Sequence, residues 1–334
     1  MRILIIGGTA FVGRHIAQAA LDGGHDVTLF NRGRTGPDLF PGAVHLAGDR
    51  NSDLSALRGL SWDVTIDVCG YFPRQVRALA RELGGGGGRG GRHVFISSTS
   101  AYATPVAPGF TEDAPLAMLA DPDTDEITDE TYGGLKVACE RAVAELYGPG
   151  QSLIIRPTYV IGPHDRSYRF TWWVERLAQG GEVLAPGDPA DPIQVIDARD
   201  LAGWIVALAA DGAAGTFHAV SPAPPFGFGD LLEAIAAGVA PPGTTLTWVD
   251  SDFLTAAGED GMSLPLWPGA DSERDINAAD PAAAFAAGLR PRPAGRSAAE
   301  VHASEAAAPT PVPPGVGITA GREADLLAGW RAGR

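Results

Sequence analysis

Lysine is nearly absent from this chain. Of its 25 basic residues in 334, only Lys136 is a lysine. Lys136 follows Tyr132 by four residues, so a helix would place both side chains on one face. A compact ammonium about 4 Å away would lower the pKa of a phenol by about three units, which predicts acid-base chemistry at Tyr132. The competing interpretation is codon bias that left one lysine on a solvated helix face.

Cysteine and long apolar runs are also scarce, and basic charge is in deficit. Cys69 and Cys139 are too few for a disulfide framework and show no metal-ligand spacing, so we predict a reducing compartment and no metal site. The sequence predicts no signal peptide and no membrane span, hence a cytoplasmic protein. A net charge of -15 opposes binding to nucleic acid or anionic membranes, which leaves a small molecule as the expected partner.

The chain opens with a short apolar run at residues 3–6, a glycine-containing turn, and a helical pattern at residues 14–21. The first predicts a buried parallel strand. Glycines between such a strand and such a helix let the backbone approach a pyrophosphate, whose charge the helix N-terminus stabilises. The predicted dinucleotide turn consists of Gly7, Gly8, Thr9, Ala10, Phe11, Val12 and Gly13.

A second predicted strand, residues 26–30, is followed by Asn31, Arg32 and Arg34. A carboxylate here would bind the adenosine ribose of NAD and repel the 2'-phosphate of NADP. None is present, and the two arginines favour NADP(H), with NAD(H) as the alternative. The other interpretation is a solvated loop that happens to carry two arginines.

Further apolar runs at residues 43–46, 62–68, 93–97 and 153–156 alternate with helical segments. This alternation predicts an α/β fold, a doubly wound parallel sheet of the Rossmann type. Ligands of such sheets bind at the carboxyl ends of the strands. The candidate residues there are Asp49 and Arg50 near adenine, Cys69 and Gly70 near the cofactor, and Ser98, Thr99 and Ser100 near substrate.

Residues 1–162 are predicted to form the dinucleotide-binding domain, with residues 193–220 returning to it. Residues 163–334 would form a smaller mixed lobe that binds substrate. Within it, His164, Arg169 and Trp173 could bind a polar, anionic ligand, although a tryptophan there suits the lobe core as well. An apolar stripe on the helix that carries Lys136 fits either the core or a subunit contact, so a homodimer is one possible assembly.

These motifs resemble the extended short-chain dehydrogenase/reductase family, of the NAD-dependent epimerase/dehydratase type. The resemblance covers residues 1 to about 208. The opening glycine turn and the Asn31-Arg32-Gly33 turn look like those of a subgroup classed as atypical, to which chloroplast stem-loop-binding proteins belong. It rests on the turn from Gly7 to Arg14, Ser98 with Tyr102, Tyr132 with Lys136, Arg156-Pro157 through Gly162-Pro163, and Val195-Ile196-Asp197.

The resemblance implies that Tyr132 is the general acid-base and that Ser98, or else Thr99, holds the substrate oxygen. Lys136 would lower the pKa of Tyr132 and bind the nicotinamide ribose, and Arg156 and Pro157 would shape the nicotinamide pocket. The sugar-nucleotide dehydratases of this family carry an Asp-Glu pair directly after the active-site hydroxyl. Thr99-Ser100 stands there in this chain, so the acid and base of dehydration are missing.

The expected activity is therefore reduction or oxidation of a carbonyl or secondary alcohol in a sugar-like or secondary-metabolite substrate. A nucleotide-sugar epimerase with bound NAD is one alternative. A cofactor-sensing or RNA-binding relative without catalysis is another.

Overall fold

The computed structural model describes residues 1–267 and 274–333. The strands are β1 (Arg2–Ile6), β2 (Asp26–Asn31), β3 (Val44–Ala47), β4 (Val64–Asp67), β5 (Arg92–Ile96), β6 (Ser152–Pro157), β7 (Tyr159–Ile161), β8 (Glu182–Pro186), β9 (Val195–Asp197), β10 (Gly215–Ala219) and β11 (Thr245–Val249). The helices are α1 (Phe11–Asp22), α2 (Pro73–Leu83), α3 (Asp129–Tyr147), α4 (Arg169–Ala178), α5 (Ala198–Asp211), α6 (Phe228–Val239), α7 (Ser251–Ala256), α8 (Ala282–Ala286), α9 (Ala294–Ala307) and α10 (Ala320–Ala332).

Seven strands form one parallel sheet in the order β10-β6-β5-β4-β1-β2-β3. The order reverses between β1 and β4, which is the switch point where such sheets open a crevice for ligand. The predicted fold class, a doubly wound parallel sheet, is confirmed.

Alternate side chains of the central strands face opposite layers of helix. Ile3 and Ile5 pack with Ile16 of α1 and Leu201 of α5 in one core cluster. Their neighbours in β1 pack against Leu79 of α2 in another cluster. Because both faces are covered, β1 is apolar without alternation from Ile3 to Ile6.

The second lobe is built on short two-stranded ladders and helices. β8 pairs with β11, and β7 pairs with β9. Its core gathers α4, α6 and α9 around Trp173 and Phe228. The strand predicted near residues 193–196 therefore joins β7 and not the main sheet, because β10 occupies the edge beside β6.

Within residues 1–267 and 274–333, no helix combines the length and the apolar character needed to cross a bilayer.

Candidate active site

A cavity of about 760 Å³ opens at the carboxyl edge of the sheet, where the second lobe meets it. The first lobe contributes the start of α1, the residues after β4 and β5, and one face of α3. The second lobe contributes the segment from β7 to the start of α4. Its polar lining includes Tyr71, Ser97, Ser98, Thr99, Ser100, Tyr132, Lys136, Thr158, Tyr159, Asp165, Ser167, Arg169 and Asn277.

The glycine turn beside this cavity has the geometry of an anion cradle. Gly7 and Gly8 have φ values of +112° and +88°, which side chains rarely adopt. A Cβ on Gly13 would lie 2.8 Å from the Gly8 nitrogen, so glycine there lets α1 approach the turn. Ala10 supplies no side-chain cap to α1. The first amides of the helix are thus left for an anion, and the turn fits a pyrophosphate.

The end of β2 is ordered by Asn31. Its Nδ2 donates to the Gly7 carbonyl at 3.0 Å, and its Oδ1 accepts from the Gly33 amide at 2.8 Å. Arg32 and Arg34 make no hydrogen bond or salt bridge within the described residues. Both lie close enough to Asp49 to lower the pKa of its carboxyl, after the larger effect of its hydrogen bond from the Asn51 amide.

Tyr132 and Lys136 both lie on α3, which begins just after an N-cap at Thr128. The Thr128 hydroxyl accepts from the Thr131 amide, and Asp129 and Glu130 complement the helix dipole. Ser98 lies at the end of β5 and caps a short 3₁₀ turn by accepting from the Ser100 amide at 3.1 Å.

The surroundings of Tyr132 favour the protonated phenol. Burial raises the pKa of its phenol to about 12, and the charge of nearby Tyr71 raises it further. A hydrogen bond with Ser98 and the charge of Arg169 act in the opposite direction. The prediction that Lys136 brings this pKa towards neutrality does not match this geometry, because burial dominates.

Lys136 is buried, with 3% of its surface exposed. Its ammonium donates to the carbonyls of Gly70 and Ile96 at 3.0 and 2.9 Å and lies 5.9 Å from the centre of the Tyr132 ring. Burial lowers the pKa of the ammonium. The lysine therefore ties the ends of β4 and β5 to α3 directly beneath the cavity.

Arg50, predicted to lie near the adenine, is engaged by a carboxylate of this chain. Its guanidinium turns inward and forms a two-fold ion pair with Asp67, with N–O distances of 2.6 and 2.8 Å. The Cys69 thiol sits beside that pair and donates to the Ile6 carbonyl. Asp67 is fully buried at the end of β4, and a buried carboxylate needs such a counter-charge.

Arg156 also departs from its predicted place in a nicotinamide pocket. It is 4% exposed and forms a two-fold ion pair with Glu140 of α3, at 3.0 and 2.6 Å. It also donates to the Tyr102 hydroxyl. The neighbouring Pro157 does line the cavity.

Two of the predicted substrate contacts lie away from the cavity. Trp173 is fully buried in the lobe core, where its indole donates to the Pro265 carbonyl. His164 stacks on His15 of α1, with ring centres 6.0 Å apart. By contrast, Thr99, Ser100 and Arg169 do line the cavity.

Several cavity residues were not predicted from the sequence, among them Tyr71, Thr158, Tyr159, Ser167 and Asn277. Tyr71 follows Gly70 at the end of β4, so the strand-end rule could have found it. The others lie in irregular segments or arrive from a distant part of the chain, and no local pattern marks them.

Comparisons with known proteins agree with this architecture. No protein-family model matches the chain. A curated relative, the chloroplast stem-loop binding protein of 41 kDa b from Arabidopsis thaliana, is 27% identical over 218 residues, which are 60% of this chain and 53% of the relative. The chain thus spans about half the length of that relative.

Two solved structures are similar over almost their whole length. The Bordetella bronchiseptica enzyme WbmH, in complex with NAD⁺, is 17% identical, with a TM-score of 0.67 over 92% of this chain and 99% of that chain. The human epimerase family protein SDR39U1, with NADPH, is 18% identical, with a TM-score of 0.61 over 90% of this chain and 99% of that chain. The chain has the extended short-chain dehydrogenase/reductase fold. That fold brings the glycine turn, Ser98 and Tyr132 to one edge of the sheet.

Proposed function

We propose that this chain is an NADP(H)-dependent oxidoreductase that reduces a carbonyl of a small substrate, sugar-like or a secondary metabolite. The observation that carries the proposal is the meeting of Tyr132, Ser98 and Lys136 in one cavity beside the glycine turn. An acid, a second hydroxyl and a fixed ammonium at this edge are suited to proton transfer to an oxygen.

When bound, the nicotinamide supplies or accepts a hydride. Tyr132 holds its proton at neutral pH, since burial raises the pKa of the phenol to about 12, and it is therefore ready to act as an acid. Ser98, hydrogen-bonded to Tyr132, orients the substrate oxygen. In reduction the carbonyl carbon gains the hydride and its oxygen gains the Tyr132 proton, which solvent then replaces.

Several features support a nicotinamide dinucleotide as the cofactor. The turn at residues 7–13 and the uncapped start of α1 would hold the pyrophosphate. Arg32 and Arg34, without ion-pair partners among the described residues, would meet a 2'-phosphate, which favours NADP(H) over NAD(H). The similar structures carry either NAD⁺ or NADPH, so both belong in the first experiment.

An epimerase with retained NAD is the second candidate within the same chemistry, and the structural likeness to a UDP-glucose 4-epimerase, 15% identical with a TM-score of 0.66, favours it. The two differ in the fate of hydride. A reductase consumes one NADPH per product and releases NADP⁺, whereas an epimerase shows no net change in cofactor.

The proposal is tested by thermal-shift titration with NADP(H) and NAD(H), followed by turnover on ketones and sugar nucleotides. The Tyr132→Phe variant should bind cofactor normally and lose 10²- to 10⁴-fold in kcat. Tyr147→Phe is the matched control, because the buried Tyr147 hydroxyl has no hydrogen-bond partner in the part of the chain that the structure describes and lies outside the cavity. Normal turnover by Tyr132→Phe would contradict the proposal.

A different function, RNA binding, is suggested only by the name of the curated relative. The net charge of -15 opposes it. The arginines on the exposed face of α2 are also partly neutralised, since Arg74 pairs with Asp125 and Arg77 with Glu145. Filter binding to an RNA hairpin over a range of salt decides the matter: tight, steeply salt-dependent binding without any cofactor stabilisation would favour this function.

A further inference from the structure

Arg169 stands apart from the other buried or half-buried arginines around the site. Arg50 and Arg156 each use a two-fold ion pair to neutralise a carboxylate of this chain. Arg169, at the start of α4, lines the cavity with Tyr132 and Ser98 and forms no direct ion pair within the described residues. Burial raises the pKa of the nearby Asp165 carboxyl, and Arg169 lies near enough for its charge to act in the opposite direction.

The Arg169 guanidinium is nevertheless held in place. Its Nε donates to the Ser167 hydroxyl at 3.3 Å, and that hydroxyl donates to Asp165 at 2.8 Å. Asp165 is only 4% exposed and also accepts from the Ser167 amide. The Tyr159 ring lies 4.9 Å from the guanidinium carbon, in the geometry of a cation–π contact.

This arrangement decides which donors remain. With Nε committed to Ser167, the end formed by Nη1 and Nη2 has no hydrogen bond within residues 1–267 and 274–333. Two parallel N–H groups in one plane match the two oxygens of a carboxylate. A phosphate would call for more cationic donors, whereas Lys136 is already committed to two carbonyls.

We propose that Arg169 binds a carboxylate of the substrate, so that the carbonyl compound reduced at Tyr132 is an oxo acid. This inference rests on the proposed function and specifies its substrate class. The carboxylates at the cavity rim do not replace a ligand: Asp129 and Glu130 are exposed, and Glu130 accepts from the Thr128 hydroxyl. Solvent screens their charge at that position.

The same contact would keep the acid protonated. Burial raises the pKa of Tyr132, and the charge of Arg169 lowers it. A bound carboxylate cancels that charge, so the phenol retains its proton until the substrate oxygen takes it.

The test is isothermal titration of pyruvate, 3-oxobutanoate and 4-oxopentanoate, each beside its neutral amide, with and without saturating NADP⁺. These ketones cannot be reduced by the oxidised cofactor, so binding is measured without turnover. At least one acid should bind tenfold or more tightly than its amide. Arg169→Gln should abolish that difference and Arg169→Lys should keep part of it. Arg166→Gln, which removes an exposed arginine three residues away, should leave it unchanged.

Equal binding of acid and amide, absence of binding by all three acids, or discrimination that survives in Arg169→Gln would overturn the inference. The proposed function is judged separately from NADP(H) stabilisation and the Tyr132→Phe variant. If cofactor binds and Tyr132→Phe is inactive while acids show no preference, only the oxo-acid inference fails. If acids bind selectively but Tyr132→Phe is fully active, the proposed function fails while the contact between Arg169 and a carboxylate stands.

Discussion

The cavity has two walls that are built in different ways. The sheet wall carries Ser98, Tyr132 and Lys136, and it is fixed by buried ion pairs and by lysine contacts to backbone carbonyls. The lobe wall carries Asp165, Ser167 and Arg169 in the connection from β7 to α4, fixed by hydrogen bonds between residues two apart in the chain.

The difference separates two tasks. The sheet wall holds groups that any proton and hydride transfer on this fold would use. The lobe wall holds groups whose replacement would change the ligand without disturbing the sheet. Proteins that share a fold can keep the same reaction chemistry while binding different substrates.

The largest expected effect comes from breaking the ion pair under the sheet wall. Arg156→Met leaves Glu140 buried and unpaired, which should lower the free energy of unfolding by about 3–5 kcal/mol. Urea denaturation followed by circular dichroism measures this. Arg77→Met, which breaks the exposed pair with Glu145, is the control and should cost less than about 1 kcal/mol. Similar losses in both variants would mean that burial does not distinguish the pairs.

Acid should lower the free energy of unfolding through His93, which lies in the sheet. His93 is fully buried in β5, neither ring nitrogen has a hydrogen-bond partner among the described residues, and burial lowers its pKa to about 4. The unfolded chain, with a pKa near 6.5, binds a proton that the folded chain excludes. Stability is therefore complete above about pH 6.5 and falls as pH drops from there to 4, by up to about 3 kcal/mol.

The variant His93→Phe sharpens this second prediction. Phenylalanine keeps the stacked contact with Tyr147, whose ring centre is 4.4 Å away, and loses no hydrogen bond. Stability curves between pH 4 and 8 should be flatter for His93→Phe than for the wild type. An unchanged slope would assign the acid sensitivity to other groups, such as His15 and His218, whose pKa values burial also lowers.

A change in the lobe core should spare the sheet wall. Trp173→Leu removes ring volume and the hydrogen bond to the Pro265 carbonyl, and we expect a loss of about 2–3 kcal/mol in unfolding free energy. NADP(H) affinity, measured by titration at a temperature where both proteins are folded, should stay within about two-fold. A large loss of cofactor affinity would show that the two walls are coupled through the lobe.

The two walls also differ in how well the sequence predicts them. The turn at residues 7–13 and the pairing of Tyr132 with Lys136 follow from local patterns: a strand before glycines, and a spacing of four on a helix. Ser98 followed from a strand end. These features depend on neighbours in the chain, so periodicity and turn chemistry are enough to locate them.

The remaining residues depend on long-range packing. The sequence indicates that Arg50 and Arg156 follow strands, but it does not show that Asp67 and Glu140 lie within reach and turn both guanidiniums inward. Trp173 was likewise a candidate for substrate binding, but in the structure it is buried in the core of the second lobe. The pKa of Tyr132 shifts in the opposite direction from the sequence-based prediction because burial, which depends on the whole fold, raises it. The Lys136 ammonium is bound instead to the carbonyls of Gly70 and Ile96.

The smallest expected effect concerns the exposed end of the nucleotide site. Arg32→Ser should weaken NADP(H) binding about five- to ten-fold and leave NAD(H) binding unchanged, because one exposed charge facing a phosphate contributes roughly 1 kcal/mol. Fluorescence titration of both cofactors measures the ratio, and Arg81→Ser, on the exposed face of α2, is the control. Raising the salt from about 0.05 to 0.5 M should shrink the effect, since the charge is open to screening. An equal loss for NADP(H) and NAD(H) would show that Arg32 acts on the turn held by Asn31 and not on the 2'-phosphate.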